Sequence, residues 1–115
     1  MKIEIYHNPR CSKSRQALAL LRERGIEPQI VEYLKQPPDH EQLSRLLDML
    51  KMEPRDLMRS KEKEYKALGL DNPDLGRDEL IQAMVENPRL IERPIVVHNR
   101  RAALGRPPEQ VLAIL

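Results

Sequence analysis

The sequence predicts an α/β fold with the element order βαβ, then a helical insertion, then ββα. Two observations support this fold class. The apolar spacing changes from strand to helix to strand within about the first 33 residues, and a β-branched strand pattern returns only at Pro94. A βαβ unit implies a parallel strand pair with a right-handed crossover. We therefore expect one domain over residues 1–115, with a four-stranded mixed sheet flanked by helices and a helical insertion at about 38–90.

Three short patterns at the start of the chain indicate the βαβ unit. Ile3 and Ile5 alternate with charged residues, as in a half-buried strand. The apolar residues that follow fall at helical spacing, namely Ala17, Leu18, Leu20 and Leu21. Gly25 is well placed to end that helix, because glycine readily adopts the left-handed conformation common after a helix C-terminus. A second strand is predicted over residues 29–34.

The helical insertion shows helix signals and no strand pattern between residues 38 and 90. Asp39 can cap a helix together with Gln42, as in a capping box. The apolar stripe of that helix is formed by Leu43, Leu46, Leu47 and Leu50. Pro54 suits the first turn of a short helix, and the charged residues 61–68 are predicted to be helical. The last helix of the insertion is marked by Leu80, Ile81, Met84 and Val85 and closed by Asn87 and Pro88.

The C-terminal part predicts a hairpin and a helix. Residues 94–97 form a compact β-branched strand pattern, residues 98–100 suit a turn, and residues 101–104 suit a short return strand. The segment 105–108, Gly-Arg-Pro-Pro, leads into a last helix. That helix is predicted to present one apolar face, formed by Val111, Leu112 and Leu115.

The bulk composition excludes several classes of protein. Twenty basic and eighteen acidic side chains leave a net charge of +2, which is too balanced to indicate general binding to nucleic acid or membranes. No apolar run approaches a membrane span, and the N-terminal residues lack the apolar stretch of a signal peptide. A single cysteine forms no internal disulfide, so we expect a reducing, cytoplasmic location. Three scattered histidines make a metal site unexpected, and no nucleotide-binding motif occurs.

Cys11 is the candidate catalytic residue, because it lies where the first strand gives way to a helix. A helix N-terminus carries partial positive charge, so a thiol there ionises readily and the site can hold an anion. The alternative is a small buried apolar cysteine. Cys11 and Ser14 form a C-x-x-S sequence, in which serine replaces the second cysteine of a redox C-x-x-C motif. An oxidised Cys11 must therefore be resolved by a thiol from another molecule.

His7 and three arginines are the other candidate site residues. His7 precedes Cys11 by four positions and could lower the thiol pKa as a nearby cation or dipole, or could be a polar loop residue. Arg93 precedes Pro94, Arg106 follows a glycine at a loop-to-helix junction, and Arg59 ends an apolar turn. Arginine is well suited to bind oxyanions. The alternative for each arginine is a solvated surface charge, and spacing alone does not show that the three converge on Cys11.

Three motifs together closely resemble the glutaredoxin-linked arsenate reductase family, and the resemblance extends over essentially the whole chain. They are Tyr6-His-Asn-Pro-Arg-Cys-Ser-Lys-Ser-Arg15, Glu92-Arg-Pro-Ile-Val-Val97 and Gly105-Arg-Pro-Pro108. The resemblance implies a thioredoxin-like fold, a cis peptide bond at Pro94 and Cys11 as the nucleophile. Arg59, Arg93 and Arg106 match the family's oxyanion-binding arginines. His7 matches the histidine near the catalytic cysteine, and Ser14 matches the serine that supports the thiolate.

The implied reaction begins when the Cys11 thiolate attacks arsenate held by the arginines. Glutathione then enters as co-substrate, glutaredoxin supplies the second thiol equivalent, and arsenite leaves; no bound cofactor is expected. One alternative is a glutathione-dependent thiol reductase with another substrate. A further alternative is a redox regulator that binds RNA polymerase, but such relatives usually carry a C-x-x-C switch, and Ser14 argues against it.

Overall fold

The computed structural model describes residues 2–115, and it divides the chain into two compact units. The first unit runs up to Gln36 and resumes at Arg93–Leu115, and the second unit is Pro37–Glu92. The second unit thus covers nearly the same residues as the predicted insertion. No helix in the described part of the chain is long and apolar enough to cross a membrane.

The first unit contains a mixed four-stranded sheet in the order β2-β1-β3-β4. The strands are β1 (Ile3–Tyr6), β2 (Gln29–Val31), β3 (Ile95–His98) and β4 (Arg101–Leu104). β1 pairs parallel with β2 and antiparallel with β3, in a register that places Ile5 opposite both Ile30 and Val96. β3 and β4 form an antiparallel hairpin. The prediction of an α/β fold with a mixed four-stranded sheet is therefore confirmed.

Helix α1 (Ser12–Glu23) ends as the sequence predicts, because Gly25 adopts a positive φ of 75°. The Gly25 N–H donates to the Arg22 carbonyl and the Ile26 N–H to the Leu21 carbonyl, which satisfies two of the last helix carbonyls. The buried core joins β1 and β3 to α1 and the C-terminal segment, and consists of Ile5, Ala17, Leu18, Leu21, Val96, Val111 and Ile114. This packing fixes the N-terminus of α1 relative to the sheet.

Two elements of the first unit differ from the sequence prediction. β2 ends at Val31 instead of residue 34, because the chain turns at Glu32, whose carbonyl accepts the N–H groups of Lys35 and Gln36. The C-terminal segment Pro108–Ile114 is a 3₁₀ helix. Val111 is buried as predicted, and Leu112 and Leu115 pack against the core but are only partly buried. Ile114, three residues after Val111 and thus one 3₁₀ turn away, is buried as well.

The second unit contains helices α2 (His40–Leu50), α3 (Lys63–Ala67) and α4 (Arg77–Glu86) and two short 3₁₀ helices. The predicted capping box of α2 is confirmed: Asp39 accepts from the Gln42 N–H, and the Gln42 side chain accepts from the Asp39 N–H. α3 is shorter than predicted, and the Pro54–Leu57 segment is a 3₁₀ helix. The unit's buried side chains include Leu43, Leu46, Leu47, Leu57, Leu80, Ile81, Met84 and Leu90.

Candidate functional site

Cys11 is the N-cap residue of α1, with an extended backbone (φ −95°, ψ 123°). It closes a tight loop after β1, in which its N–H donates to the Asn8 carbonyl at 3.0 Å. Its own carbonyl accepts the Arg15 N–H as the first bond of the helix. The residue is only 9% exposed. The sulfur thus lies at the end of α1 where main-chain N–H groups have no partner within the helix.

The surroundings of Cys11 favour a thiolate. Burial alone would raise the pKa of the Cys11 thiol, because it removes water from the charged form. The Ser14 N–H, the hydrogen bond and charge of the Arg93 guanidinium, and the Lys13 N–H together outweigh burial and hold the pKa below its usual value. The lowered pKa favours the reactive thiolate form of Cys11 over an inert buried thiol.

Arg93 lies at the start of β3, beside Cys11. Its peptide bond to Pro94 is cis, which is the conformation that the resemblance implies. The Nε atom of Arg93 is buried and has no hydrogen-bond partner within residues 2–115. A buried N–H donor is costly when it is left unpaired, so this atom is suited to an acceptor that arrives with a ligand.

Arg106 is exposed, and its guanidinium contacts the main chain at Arg93, just before β3. Its Nη1 donates to the Arg93 carbonyl at 3.2 Å. The main chain here is held close by Gly105, whose N–H donates to the Pro94 carbonyl at 2.8 Å. A Cβ at Gly105 would lie 2.7 Å from Pro94 Cγ, so only glycine fits without displacing that ring. The structure therefore brings Cys11, Arg93 and Arg106 into one region of the first unit.

His7 and Ser14 form a buried pair behind the Cys11 loop. His7 Nδ1 lies 2.6 Å from Ser14 Oγ, and Ser14 Oγ also accepts the Asn8 N–H at 3.1 Å. Burial lowers the pKa of His7, and the nearby Arg22 and Arg15 lower it further against the opposing charge of Glu32. The imidazole is therefore mainly neutral at pH 7. Of the two roles expected for His7, a nearby cation or a dipole, the lowered pKa favours the dipole, because desolvation disfavours the charged form.

Ser14 acts on the thiol through its main chain. Its N–H is one of the groups that lower the pKa of Cys11, while its hydroxyl bonds to His7 and Asn8 within the loop. The hydroxyl thus ties the strand end to the first turn of α1, and this connection keeps the N–H groups around Cys11 in place.

Arg59 belongs to the second unit, whereas the other candidate residues belong to the first. Its Nη1 donates to Glu62 Oε1 at 2.8 Å, and its Nε lies 3.6 Å from Glu92 Oε1. Its main-chain N–H donates to the Leu90 carbonyl at 2.7 Å. Arg59 is thus an ion-paired, two-thirds buried guanidinium rather than a solvated surface charge.

Sequence reasoning did not single out Glu62, and it named Glu92 and Gly105 only as members of motifs, without a role. Glu62 stands three positions after Arg59, a spacing at which side chains can meet, so it had a local signal. Glu92 had no local sequence signal, because its approach to Arg59 depends on an isolated antiparallel bridge between Met58 and Ile91.

Within the described residues, no group of three or more His, Cys, Asp or Glu side chains is arranged to hold a metal ion.

The mixed sheet, the cysteine at the N-terminus of α1 and the cis-proline before β3 define a thioredoxin-like α/β protein, and Cys11 is the only cysteine in its sequence. The sequence matches the ArsC family over residues 6–114. The chain therefore belongs to the ArsC family.

Named relatives cover almost the whole chain. An arsenate reductase of Neisseria meningitidis serogroup A is 51% identical over 115 residues, which is 99% of this chain and 98% of the relative. The uncharacterized protein YfgD of Escherichia coli K12 is 56% identical over 115 residues, with 99% and 97% covered. The solved structure of an arsenate reductase from Vibrio cholerae superposes with a TM-score of 0.98 at 55% identity, covering 100% of this chain and 98% of that structure.

Proposed function

We propose that this protein reduces arsenate to arsenite through the Cys11 thiolate. The observation that supports this most strongly is the pairing of an activated thiolate with a buried, unpartnered N–H donor on Arg93. A thiolate is the form that attacks, and a charged donor beside it can hold the oxyanion that is attacked. The relatives named arsenate reductase, at about half identity over the full chain, support the same substrate.

The proposed chemistry begins with a bond between Cys11 sulfur and arsenic, with one arsenate oxygen leaving as water after protonation. Arg93 and Arg106 would bind the oxyanion and stabilise the negative charge that grows on the leaving oxygen. The resemblance implies that Arg59 is a third oxyanion ligand. A second thiol then attacks Cys11 sulfur, so the sulfur–arsenic electron pair stays with arsenic as it becomes As(III). Two thiols thereby lose two electrons and form one disulfide.

The second thiol must come from another molecule, because Cys11 is the only cysteine in the sequence. We propose that glutathione supplies it and that glutaredoxin reduces the resulting mixed disulfide. Ser14 occupies the position at which a resolving cysteine would stand in a C-x-x-C motif. The proposal places the reaction in the cytoplasm, where a free thiol stays reduced.

A coupled assay tests this function. The purified protein is mixed with arsenate, glutathione, glutaredoxin, glutathione reductase and NADPH, and loss of NADPH is followed. We expect arsenate-dependent turnover that needs both glutathione and glutaredoxin and disappears in Cys11→Ser. Sustained turnover with thioredoxin as the only reductant, or substantial activity in Cys11→Ser, would overturn the proposal. Turnover of a glutathione mixed disulfide without any arsenate reduction would instead assign a thiol reductase.

A further inference from the structure

Asn8 uses three hydrogen-bonding groups to hold the loop that carries Cys11. Its carbonyl accepts the Cys11 N–H at 3.0 Å, and its side-chain Oδ1 accepts the Arg10 N–H, also at 3.0 Å. Its own N–H donates to Ser14 Oγ at 3.1 Å. The loop thus closes as a turn over residues 8–11, and the residue that begins the turn is bonded to the first turn of α1.

The residue types in this turn suit its shape. Asparagine is favoured at the first position of a β-turn, where its side-chain oxygen can accept the N–H two residues later. Proline at the second position already has the φ angle that the turn requires. Asn8 and Pro9 occupy these two positions. Arg15 adds a contact from α1, because its Nη1 donates to the Pro9 carbonyl at 2.9 Å. The turn is therefore held both by its own side chain and by the helix.

A turn of the same kind lies in the second unit, over residues 72–75, and it also begins with Asn-Pro. Asn72 Oδ1 accepts the N–H two residues later at 3.0 Å, and its carbonyl accepts the N–H three residues later at 3.2 Å. Its own N–H donates to a main-chain carbonyl. The turn at Asn8 differs in two respects, because it is bonded to the Ser14 hydroxyl and it ends at Cys11.

We propose that Asn8 is a positioning residue for Cys11, which aligns the sulfur with the main-chain N–H groups at the start of α1. The Lys13 and Ser14 N–H groups stabilise the thiolate by hydrogen bonds. Hydrogen bonds weaken steeply when their angle is poor, so the direction of the Cys11 side chain decides how much these groups contribute. The effect on the thiol stands apart from the proposed function, whereas its consequence for arsenate reduction rests on that function.

Iodoacetamide alkylation measures this alignment, because Cys11 is the only cysteine in the sequence. Asn8→Ala removes the oxygen that accepts the Arg10 N–H and leaves the main-chain groups in place. We expect the midpoint of the alkylation rate against pH to move to higher pH. Below that midpoint the rate should fall by about two- to tenfold, the range that one hydrogen bond supports. Asn8→Ser, whose hydroxyl can accept the same N–H more weakly, should lie between Asn8→Ala and the wild type.

The matched control is Asn72→Ala, which removes the same side-chain bond from the same kind of turn and should leave the alkylation profile unchanged. Thermal melting is measured for every variant, and alkylation is compared at a temperature at which each is folded. An unchanged midpoint in Asn8→Ala, or an equal shift in Asn72→Ala, would overturn the inference. If Asn8→Ala does not fold, Asn8→Ser decides: a midpoint above that of the wild type supports the inference, and an unchanged midpoint overturns it.

The coupled NADPH assay, run with excess glutathione and glutaredoxin, separates this inference from the proposed function. If the wild type reduces arsenate, Asn8→Ala should lower kcat and kcat/KM by similar factors, because Asn8 positions the nucleophile and not the oxyanion. A raised KM with an unchanged kcat would overturn the positioning role. If the wild type does not reduce arsenate, the proposed function fails, and the alkylation profiles alone decide whether Asn8 positions Cys11.

Discussion

Replacement of Arg93 by lysine separates its charge from its geometry. Arginine offers five N–H donors in a planar fork, whereas lysine is a single point charge. In this structure the Arg93 guanidinium already forms a hydrogen bond with Cys11, and its buried Nε has no hydrogen-bond partner within the described residues. One ammonium group cannot contact both the sulfur and a bound oxyanion with the same geometry. Arg93→Lys should therefore keep a charge near Cys11 and lose a donor to the substrate.

The loss of kcat/KM in Arg93→Lys can be estimated from the one hydrogen-bond donor that the substitution removes. Removal of a charged or dipolar donor aimed at developing negative charge costs roughly 2–4 kcal/mol in the transition state. At about 1.36 kcal/mol per factor of ten, this corresponds to a fall in kcat/KM for arsenate of about 30- to 900-fold. The coupled NADPH assay, run at subsaturating arsenate with excess glutathione and glutaredoxin, measures this ratio directly.

The matched control is Arg101→Lys, since Arg101 is an exposed arginine on β4 whose Nη2 donates to the Ala113 carbonyl. It should leave kcat/KM unchanged. If Arg93→Lys melts at the wild-type temperature and keeps kcat/KM within about threefold, a loss below about 0.7 kcal/mol, then Arg93 does not bind the reacting oxyanion. The oxyanion site would then lie elsewhere.

Two further predictions concern the thiol and the glycine beside Pro94. Because the pKa of Cys11 is lowered, the thiolate should persist to lower pH than in a free thiol, and the rate of iodoacetamide alkylation should show its midpoint below the usual thiol pKa of about 8.5. A midpoint at or above that value would contradict an activated thiol. Gly105→Ala should cost about 1–3 kcal/mol of stability, since its Cβ would crowd Pro94 Cγ at 2.7 Å and Val111 Cγ1 at 3.2 Å. Thermal melting measures this loss of stability. Gly76→Ala is the control, because its Cβ would meet nothing nearer than 3.7 Å, and it should lose clearly less stability.

The parts of the fold that the sequence predicts are those decided by local patterns. Gly25 ends α1 through its own positive φ, and Asp39 with Gln42 caps α2 through contacts three residues apart. Cys11 is the N-cap of α1 because the strand pattern stops and the helical spacing begins at that point. Each of these features depends on neighbours within one or two turns of chain.

The parts that were missed depend on packing between distant segments. The burial of Ile114 was not predicted, because which residues of the C-terminal 3₁₀ helix are buried depends on how it packs against the sheet and α1. The charge state of His7 depends on how much water is excluded around it. The ion pair between Arg59 and Glu92 joins two segments that are far apart in sequence. No periodicity or spacing carries this information.

The neutral state of His7 has a chemical advantage for the proposed reaction. A thiolate that is stabilised too strongly is a weaker nucleophile, because nucleophilicity falls as the thiol pKa falls. If His7 were charged, its charge would add to that of Arg93 and the Ser14 N–H and would stabilise the sulfur further. Burial keeps His7 neutral and restricts it to a hydrogen bond with the Ser14 side chain. The one full positive charge among the groups that lower the pKa of Cys11 is then Arg93, so the thiolate is stabilised without a second cation that would weaken it as a nucleophile.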